Sequence, residues 1–264
     1  MILTNQNYYS DPANQEFLSV SQYKSFQKCE AAALAQLRGE WKPPKTTALL
    51  VGSYVDSWFE GTLDDFREEN PEIFKRDGSL KSDYVQAEEI ISRVQQDPLF
   101  MEYMSGEKQI IRTATLFGAK WKIKIDSLLP DKIVDLKVMR SMERIIGKSF
   151  VEHWGYDLQM AVYGEVERIF SGRETALDTF LAVVTKQTPP DMEIIEIPSW
   201  RRVELLEDVA RRTPRILALK SGEVEPEGCG ICDYCRATKK LHAPIDFELV
   251  GLSIAERKAM LGQI

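Results

Sequence analysis

The order of hydrophobic and polar positions predicts a chain that begins with helices and has strands at its centre. The predicted helices cover residues 19–37, 49–69, 82–104, 150–170 and 200–220. The predicted strands cover residues 109–117, 120–129, 132–138, 179–187 and 193–197. This order indicates a mixed α/β or α+β core: helices come first, then three strands, a helix, two strands and a last helix.

Two of the central strands form a predicted hairpin around a turn at Pro130-Asp131. In the first strand, polar and apolar positions alternate as Lys120, Trp121, Lys122, Ile123, Lys124, Ile125 and Asp126. In the second strand, one face carries Asp135 and Lys137 and the other carries Val134, Leu136 and Val138. Both strands therefore have the period of two that is typical of a half-buried strand.

The register of this hairpin brings two carboxylates together. A turn centred on Pro130-Asp131 places Asp126 opposite Asp135 and Lys124 opposite Lys137. Opposed side chains have Cβ atoms roughly 4.5 to 5.5 Å apart, and like charges at that separation destabilise a sheet. A divalent cation that prefers oxygen ligands, Mg²⁺ or Mn²⁺, would offset the repulsion. The alternative is a solvated polar face.

An acidic residue two positions before a lysine is a weak signal by itself, because it occurs three times. The other two instances are Glu40-Trp41-Lys42, just before two prolines, and Glu256-Arg257-Lys258, in a predicted C-terminal helix with a capping box from Ser253 to Glu256. Asp135-Leu136-Lys137 is the instance with a strand, a partner carboxylate and a turn.

The helix after the hairpin carries a second candidate pair. Gln159 and Tyr163 are four residues apart and share a helix face. Such a pair is able to bind a phosphate or to orient a nucleotide. The alternative is a helix edge with a packed tyrosine whose hydroxyl is solvated.

The four cysteines form a third constellation. Cys229, Cys232 and Cys235 are spaced C-x2-C-x2-C, and Cys29 lies about 200 residues earlier. Four thiolates suit either a tetrahedral zinc ion, for which His242 is able to replace Cys29, or an iron-sulfur cluster, and the spacing does not decide between them. Either centre would join the two ends of the chain.

Composition agrees with a soluble enzyme. The 264 residues, 44% of them hydrophobic, are enough for one sizeable core. We expect a cytoplasmic protein without a membrane partner, since there is no apolar stretch of about 18 residues and no signal-peptide pattern. The net charge of -7 argues against nucleic-acid binding by the whole surface but leaves room for a local basic track.

These motifs together resemble the PD-(D/E)XK nucleases, and the resemblance covers most of the chain. It is nearest to the RecB-like exonucleases with an iron-sulfur clasp and to the phage RecE-like enzymes. The matching segments are Leu18 to Cys29, a helix opened by Gly52-Ser53 (motif I), Asp126 (motif II), Asp135-Leu136-Lys137 (motif III), Gln159 with Tyr163, and Val183 to Lys186.

The resemblance implies a restriction-endonuclease-like core with a mixed central sheet flanked by helices. It also implies that Asp126, Asp135 and the Leu136 carbonyl bind Mg²⁺ or Mn²⁺, and that Lys137 activates water and stabilises charge on the phosphoryl oxygens. Gln159 and Tyr163 would position DNA. The four cysteines would hold a 4Fe-4S cluster, with zinc as the alternative.

The chain departs from the family pattern at the third metal ligand. Many relatives have a histidine four residues after the motif I glycine, whereas this chain has Asp56, and Glu60 lies one turn further along the same face. A carboxylate is also a ligand for a hard cation. Either residue is therefore a candidate, and Asp56 is the expected one.

The expected protein is a metal-dependent DNA exonuclease of phage recombination or repair, acting on single strands or duplex ends, with a single-strand annealing protein as partner. We expect one nuclease domain over residues 1–264, with a helical part (1–108), a nuclease core (109–220) and a cysteine clasp with the C-terminal tail (221–264). The alternatives are a catalytically degenerate iron-sulfur protein that binds DNA or acts as a scaffold, and a zinc-clasped structural module. Cleavage polarity and oligomeric state leave no mark in the sequence.

Overall fold

The structure of the chain is a computed structural model that describes residues 1–42, 47–241 and 243–262. The first third contains α1 (Asp11–Glu16), α2 (Val20–Lys28), α3 (Glu30–Leu37), α4 (Thr47–Glu60), α5 (Leu63–Glu69), α6 (Ser82–Gln95) and α7 (Pro98–Tyr103). The strands are β1 (Ile110–Leu116), β2 (Ala119–Ile125), β3 (Ser127–Leu128), β4 (Lys132–Met139), β5 (Asp178–Thr185) and β6 (Met192–Ile197). The other helices are α8 (Phe150–Trp154), α9 (Tyr156–Ser171), α10 (Ser199–Ser221), α11 (Asp233–Ala237) and α12 (Ile254–Met260).

The chain divides into two compact units. One consists of Met1–Pro44, Thr115–Trp121 and Val209–Ile264, and the other of Lys45–Ala114 and Lys122–Asp208. We call them the terminal unit and the central unit. The expectation of one nuclease domain over the whole chain stays a prediction. Within the described ranges, none of the helices has both the length and the apolar character that crossing a membrane requires.

The central unit is organised around a four-stranded mixed sheet, which confirms the predicted fold class. The strand order is β3-β4-β5-β6, with β4 and β5 parallel and the outer pairs antiparallel. Val134 and Leu136 belong to a core cluster that they share with α4 and α6. Asp135 and Lys137 alternate with them on β4 and therefore lie on the opposite face of the sheet. The predicted division of this strand into an apolar and a polar face is confirmed.

The register of the hairpin is confirmed, but its first strand is shorter than predicted. Ser127 pairs with Val134 and Leu128 with Ile133, as a turn centred on Pro130-Asp131 requires. The predicted strand 120–129 is divided at Asp126 into β2, which pairs with β1, and β3, which pairs with β4. Because β2 is not in the sheet of β4, the pairing of Lys124 with Lys137 is wrong.

The predicted polar face of β2 is also wrong at one position. Lys122 is 1% exposed, although it alternates with the apolar residues of the strand. Pairing with β1 rather than β4 gives β2 different neighbours on both faces, and the sequence alternation does not contain that information.

The three long predicted helices of the first third are each divided. Cys29 has an extended backbone between α2 and α3. Gly61 separates α4 from α5 with φ of +75°, and Pro98 begins α7 as a second helix. Since α4 already begins at Thr47, Gly52 lies inside this helix, and the expectation that it opens the helix is wrong.

The terminal unit packs its short helices on a buried tryptophan. Trp121 is fully buried, its indole N–H donates to the Leu116 carbonyl over 3.0 Å, and its ring lies 5.9 Å from that of Tyr23. The Leu18 N–H donates to the Lys120 carbonyl over 2.7 Å. Glu30 accepts two hydrogen bonds from Arg215 at 2.6 and 2.7 Å. These contacts tie Leu18 and α2 to β2, and α3 to the C-terminal part of α10.

A half-buried lysine in this unit gives a prediction of pH dependence. Lys220 donates to the carbonyls of Asn14 and Phe17 over 3.1 and 3.2 Å, and burial lowers its pKa from 10.5 to about 8. Between these values the folded protein releases the proton and the unfolded chain keeps it, so the free energy of unfolding rises with pH.

We expect the wild type to gain stability relative to Lys220→Met as the pH rises from about 8 to 10.5. Urea unfolding of both proteins at several pH values measures the difference. A difference that stays constant over this range would contradict the assigned pKa.

A second prediction concerns the close packing beside β3. A Cβ atom at Gly106 would lie 2.5 Å from the Leu128 carbonyl oxygen and 2.8 Å from Ser127 Oγ. Because the first contact is with backbone, we expect Gly106→Ala to lower the free energy of unfolding by about 1–3 kcal/mol. The matched control is Gly52→Ala, which meets no atom within 4 Å and should add up to about 1 kcal/mol inside a helix. Urea unfolding measures both, and equal effects would refute the packing argument.

Candidate active site

The predicted site residues of β4 lie on one face and form an ion pair. Lys137 Nζ contacts Asp135 Oδ2, and the Asp135 side chain is almost fully buried. The other oxygen, Oδ1, accepts a hydrogen bond from Gln159 Nε2 over 2.7 Å. The structure thus brings three of the predicted residues together, with α9 supplying the glutamine.

Asp126 lies at the bend between β2 and β3, and its carboxylate is held from two sides. Oδ2 accepts a hydrogen bond from the Leu136 N–H over 2.9 Å. Oδ1 accepts one from Gln109 Nε2 over 3.3 Å. The first bond places the Asp126 carboxylate against the backbone of β4 at Leu136, which is the residue between Asp135 and Lys137. The predicted proximity of the two aspartates therefore arises through a side-chain bond to the strand.

The site concentrates negative charge in a buried place. Burial raises the pKa of Asp126 well above its ordinary value, and Asp135 and Asp56 add to the rise, against Lys137 and the Leu136 N–H. Burial by itself lowers the pKa of Lys137. The negative charges of Asp135 and Asp126 have the larger effect, so the pKa of this lysine is raised. Lys137 is therefore a cation that Asp135 contacts and that Asp135 and Asp126 stabilise.

Asp56 on α4 belongs to this charge cluster more directly than Glu60 does. Burial raises the pKa of Asp56 to about 7, with Lys137 opposing the rise and Asp135 adding to it. For Glu60, burial also raises the pKa, and the opposing charges are those of Lys124 and Lys108. The electrostatic neighbours of Asp56 thus include Lys137 and Asp135 of the site, together with Glu60 and Lys124, whereas the charges that act on Glu60 are those of two lysines.

Two contacts of the site escape sequence reasoning. The ring of Tyr156 lies 5.0 Å from Lys137 Nζ, and its hydroxyl donates to Met139 Sδ over 3.1 Å. Tyr156 is three residues before Gln159 and so shares its helix face, which is the signal that would have identified it. Gln109, which holds Asp126, has no such signal. Tyr163 is half-buried one turn further along α9.

The arrangement has the chemistry of a divalent-cation site. Asp56, Asp126 and Asp135 offer hard oxygen donors, and the single charge of Lys137 offsets only part of theirs when they are ionised. The oxygens of Asp126 and Asp135 are engaged by Lys137, Gln159, Gln109 and the Leu136 N–H. A cation would therefore replace some of these donors.

The four cysteines converge in the terminal unit. Their Sγ atoms all lie within 4.8 Å of one another, and in the described part of the chain they are the set of three or more ligand side chains that meets in this way. Cys235 Sγ is 3.6 Å from Cys29 Sγ and 3.9 Å from Cys229 Sγ.

His242, the alternative fourth ligand, lies outside the described residues. The predicted grouping of Cys29 with the C-terminal cluster is confirmed.

Backbone N–H groups favour the thiolate at Cys229, whereas burial raises the pKa of Cys29, Cys232 and Cys235. The Cys229 N–H donates to Cys29 Sγ and the Cys232 N–H to Cys229 Sγ, each over 3.3 Å. Burial opposes ionisation of Cys229, but N–H groups of Ile231 and Cys232 outweigh it and lower its pKa to about 7. Four thiols with backbone donors form a donor set for a thiophilic metal.

Comparison with known families places the chain in a nuclease-type fold. Residues 19–238 match the family described as "PDDEXK-like domain of unknown function (DUF3799)". This segment covers most of the chain, and the protein belongs to that family. The fold and the family together confirm the predicted PD-(D/E)XK relationship and the restriction-endonuclease-like fold.

A solved structure agrees with this assignment. The chain is 50% identical to a protein from Eubacterium rectale whose crystal structure carries the name "Putative exonuclease", with a TM-score of 0.88 over 95% of this chain and 99% of that one. Proteins of curated function give no match. Family and neighbour support a nuclease, for which the substrate is a nucleic acid.

Proposed function

We propose that the protein is a metal-dependent deoxyribonuclease whose active centre is the charge cluster of Asp56, Asp126, Asp135 and Lys137. The observation that carries the proposal is the Asp126 carboxylate bonded to the Leu136 N–H, which sets two acidic groups and a lysine around one short stretch of β4. Buried like charges at this density are unfavourable without a cation.

The cation in this proposal is Mg²⁺ or Mn²⁺. Asp126, Asp135 and the Leu136 carbonyl would hold it, with Asp56 as the third side-chain ligand in preference to Glu60. When bound, it lowers the pKa of a water molecule and neutralises charge on the scissile phosphate. The raised pKa values of Asp126 and Asp56 mean that these side chains lose protons on binding it.

The protein side chains have separate roles in phosphodiester hydrolysis. Lys137, freed from its ion pair with Asp135, would orient the attacking water and stabilise negative charge on the phosphoryl oxygens. Tyr156 keeps the ammonium group at the site through its ring. Gln159 and Tyr163, on the adjacent helix face, would position the DNA strand beside the cut.

The substrate we propose is DNA at an end, single-stranded or duplex, in phage recombination or repair, with a single-strand annealing protein as partner. The name of the Eubacterium rectale protein and the RecB/RecE resemblance support exonuclease action. The test uses end-labelled single-stranded, duplex and closed circular DNA with Mg²⁺, Mn²⁺ or EDTA. Metal-dependent loss of linear DNA that spares the circles is the expected result.

Absence of cleavage on every substrate with either metal would refute the enzyme proposal. Binding of DNA without cleavage would then support the degenerate alternative, for which Asp56 in place of the relatives' histidine is the supporting feature.

We propose further that the four cysteines hold an inorganic centre with a structural role. A 4Fe-4S cluster, which the resemblance implies, and zinc both accept four thiolates. Zinc with bonds of about 2.3 Å in a tetrahedron sets its sulfurs about 3.8 Å apart, near the observed 3.6 and 3.9 Å. A 4Fe-4S cluster needs its four cysteine sulfurs further apart than this.

Anaerobic purification with metal analysis and visible absorption decides between the two centres. Brown protein with iron and sulfide supports the cluster, and colourless protein with one zinc per chain supports the ion. Fully folded protein without either metal would refute the proposed centre.

A further inference from the structure

A small hairpin in the loop after β4 has a conformation that its residues do not favour. Residues 145 and 148 form an isolated antiparallel bridge, with reciprocal N–H to carbonyl bonds of 2.9 and 3.1 Å. The two residues between them, Ile146 and Gly147, have φ of +49° and +76°. Positive φ at both positions defines a type I′ turn, for which Asn-Gly is preferred. A β-branched residue at positive φ is a genuine outlier.

The strained isoleucine is also one of the most exposed apolar residues of the described chain. Ile146 is 93% exposed, so packing within the central unit does not explain its presence at the tip. Arg144 donates from its guanidinium to the Gly147 carbonyl and so supports the turn from inside the loop. A single exposed apolar residue is unremarkable by itself. Combined with an unfavourable backbone conformation, it indicates a residue selected for a contact outside the molecule.

The charge of the loop indicates the kind of partner. The segment 140–149 contains Arg140, Arg144 and Lys148, all exposed, and one acidic residue, Glu143. The chain as a whole has a net charge of -7. Basic side chains bind phosphate groups, and an apolar side chain is able to insert between bases. A basic loop with an apolar tip on an otherwise acidic protein is therefore suited to binding a nucleic acid.

The loop begins and ends beside the candidate active site. It leaves β4 two residues after Lys137, at the sheet edge where parallel β4 and β5 both end. It returns through α8 to α9, where Tyr156 contacts both Met139 and Lys137. A capping box between Ser149 and Glu152 fixes the return point. DNA bound at the carboxyl edge of these strands would therefore meet the hairpin.

We propose that this hairpin is a strand-separating wedge, in which Ile146 inserts between bases at a duplex end while the basic residues bind the flanking phosphates. This inference rests on the proposed nuclease function and adds to it a means of opening duplex ends. Apolar side chains that enter a base step unstack it at a cost of a few kcal/mol. Wedge insertion would deliver one unpaired strand to the metal site.

The test uses Ile146→Asn, because asparagine favours the type I′ turn and removes the apolar tip. We expect this variant to unfold at the wild-type temperature or above it. Its rate of cleavage of single-stranded DNA should stay within about twofold of the wild type. Its rate on blunt duplexes should fall by about tenfold or more. Ile146→Leu, which keeps an apolar tip, should retain duplex activity. A duplex with an unpaired fork at its end should restore the Asn variant.

Equal rates for Ile146→Asn and the wild type on blunt duplexes would overturn the wedge, as would equal losses on single and double strands. A second readout does not depend on cleavage. With Ca²⁺ as the only divalent cation, wild-type protein should increase the fluorescence of 2-aminopurine at the terminal step of a duplex, and Ile146→Asn should not. Should the wild type fail to cleave any DNA, the nuclease proposal falls, while this fluorescence difference still supports or refutes the wedge.

Discussion

Asp135→Asn is expected to reduce DNA cleavage by about 1000-fold while leaving the chain folded. The substitution keeps the shape of the side chain and its contact with Gln159 Nε2 but removes the charge that faces Lys137 and the proposed cation. Loss of a charged group that acts on the transition state typically costs 100- to 1000-fold or more. Initial rates on end-labelled DNA with saturating Mn²⁺ measure the effect.

The matched control is Asp131→Asn, the same chemical change in the turn of the same hairpin. Asp131 is largely exposed and contacts Lys132, so we expect cleavage within about twofold of the wild type and a stability change below about 1 kcal/mol. If Asp135→Asn retained more than about a tenth of the wild-type rate, its place at the centre of the reaction would be refuted.

Cys235→Ser is expected to have the largest effect on stability. Cys235 Sγ is in contact with two of the other three sulfurs, so its loss removes one of four ligands and opens the site. Four-ligand structural zinc contributes about 10–16 kcal/mol to the folding of small domains, and we expect loss of one ligand to cost at least about 3 kcal/mol. Thermal unfolding and limited proteolysis of the C-terminal segment measure the change.

The control for this variant is Ser253→Ala, which removes the capping box of α12 in the same segment. Loss of an N-cap costs about 1 kcal/mol, so the control should be clearly milder. Equal unfolding temperatures for Cys235→Ser and the wild type, each analysed for bound metal, would contradict a structural centre. If Cys235→Ser has already lost its metal, added EDTA or reductant should not change its unfolding temperature.

The sequence predicted the parts of the fold that depend on local pattern. Alternation on β4 and a turn at Pro130-Asp131 determine the register of the β3–β4 hairpin. The break at Asp126 was not predictable in this way, because β2 pairs with β1 and because the Asp126 carboxylate accepts a hydrogen bond from the Leu136 N–H. Tertiary contacts of this kind override local strand preference.

The same distinction holds for the site. Acidic and basic residues near one turn are the basis for predicting Asp126, Asp135 and Lys137, and the structure brings these three together, while their roles stay predictions. The grouping of Cys29 with the three later cysteines rests on their being the four cysteines of the chain, and the structure shows it. The sequence leaves Asp56 and Glu60 as alternatives, because both lie on one face of α4 and only their neighbours in space differ. Tyr156 was missed, although its position three residues before Gln159 places it on the same helix face, and its contact with Lys137 becomes visible once α9 packs on β4.

The placement of the cysteines sets an order of events during synthesis. The sulfur of Cys29 and its contact at Cys229 are 200 residues apart. At translation rates of about 5–20 residues per second, Cys29 leaves the ribosome about 10–40 s before the thiols that complete its site. All segments of the central unit are made within that interval. The segments that form the sheet and carry its carboxylates are therefore synthesised before the cysteine site can close.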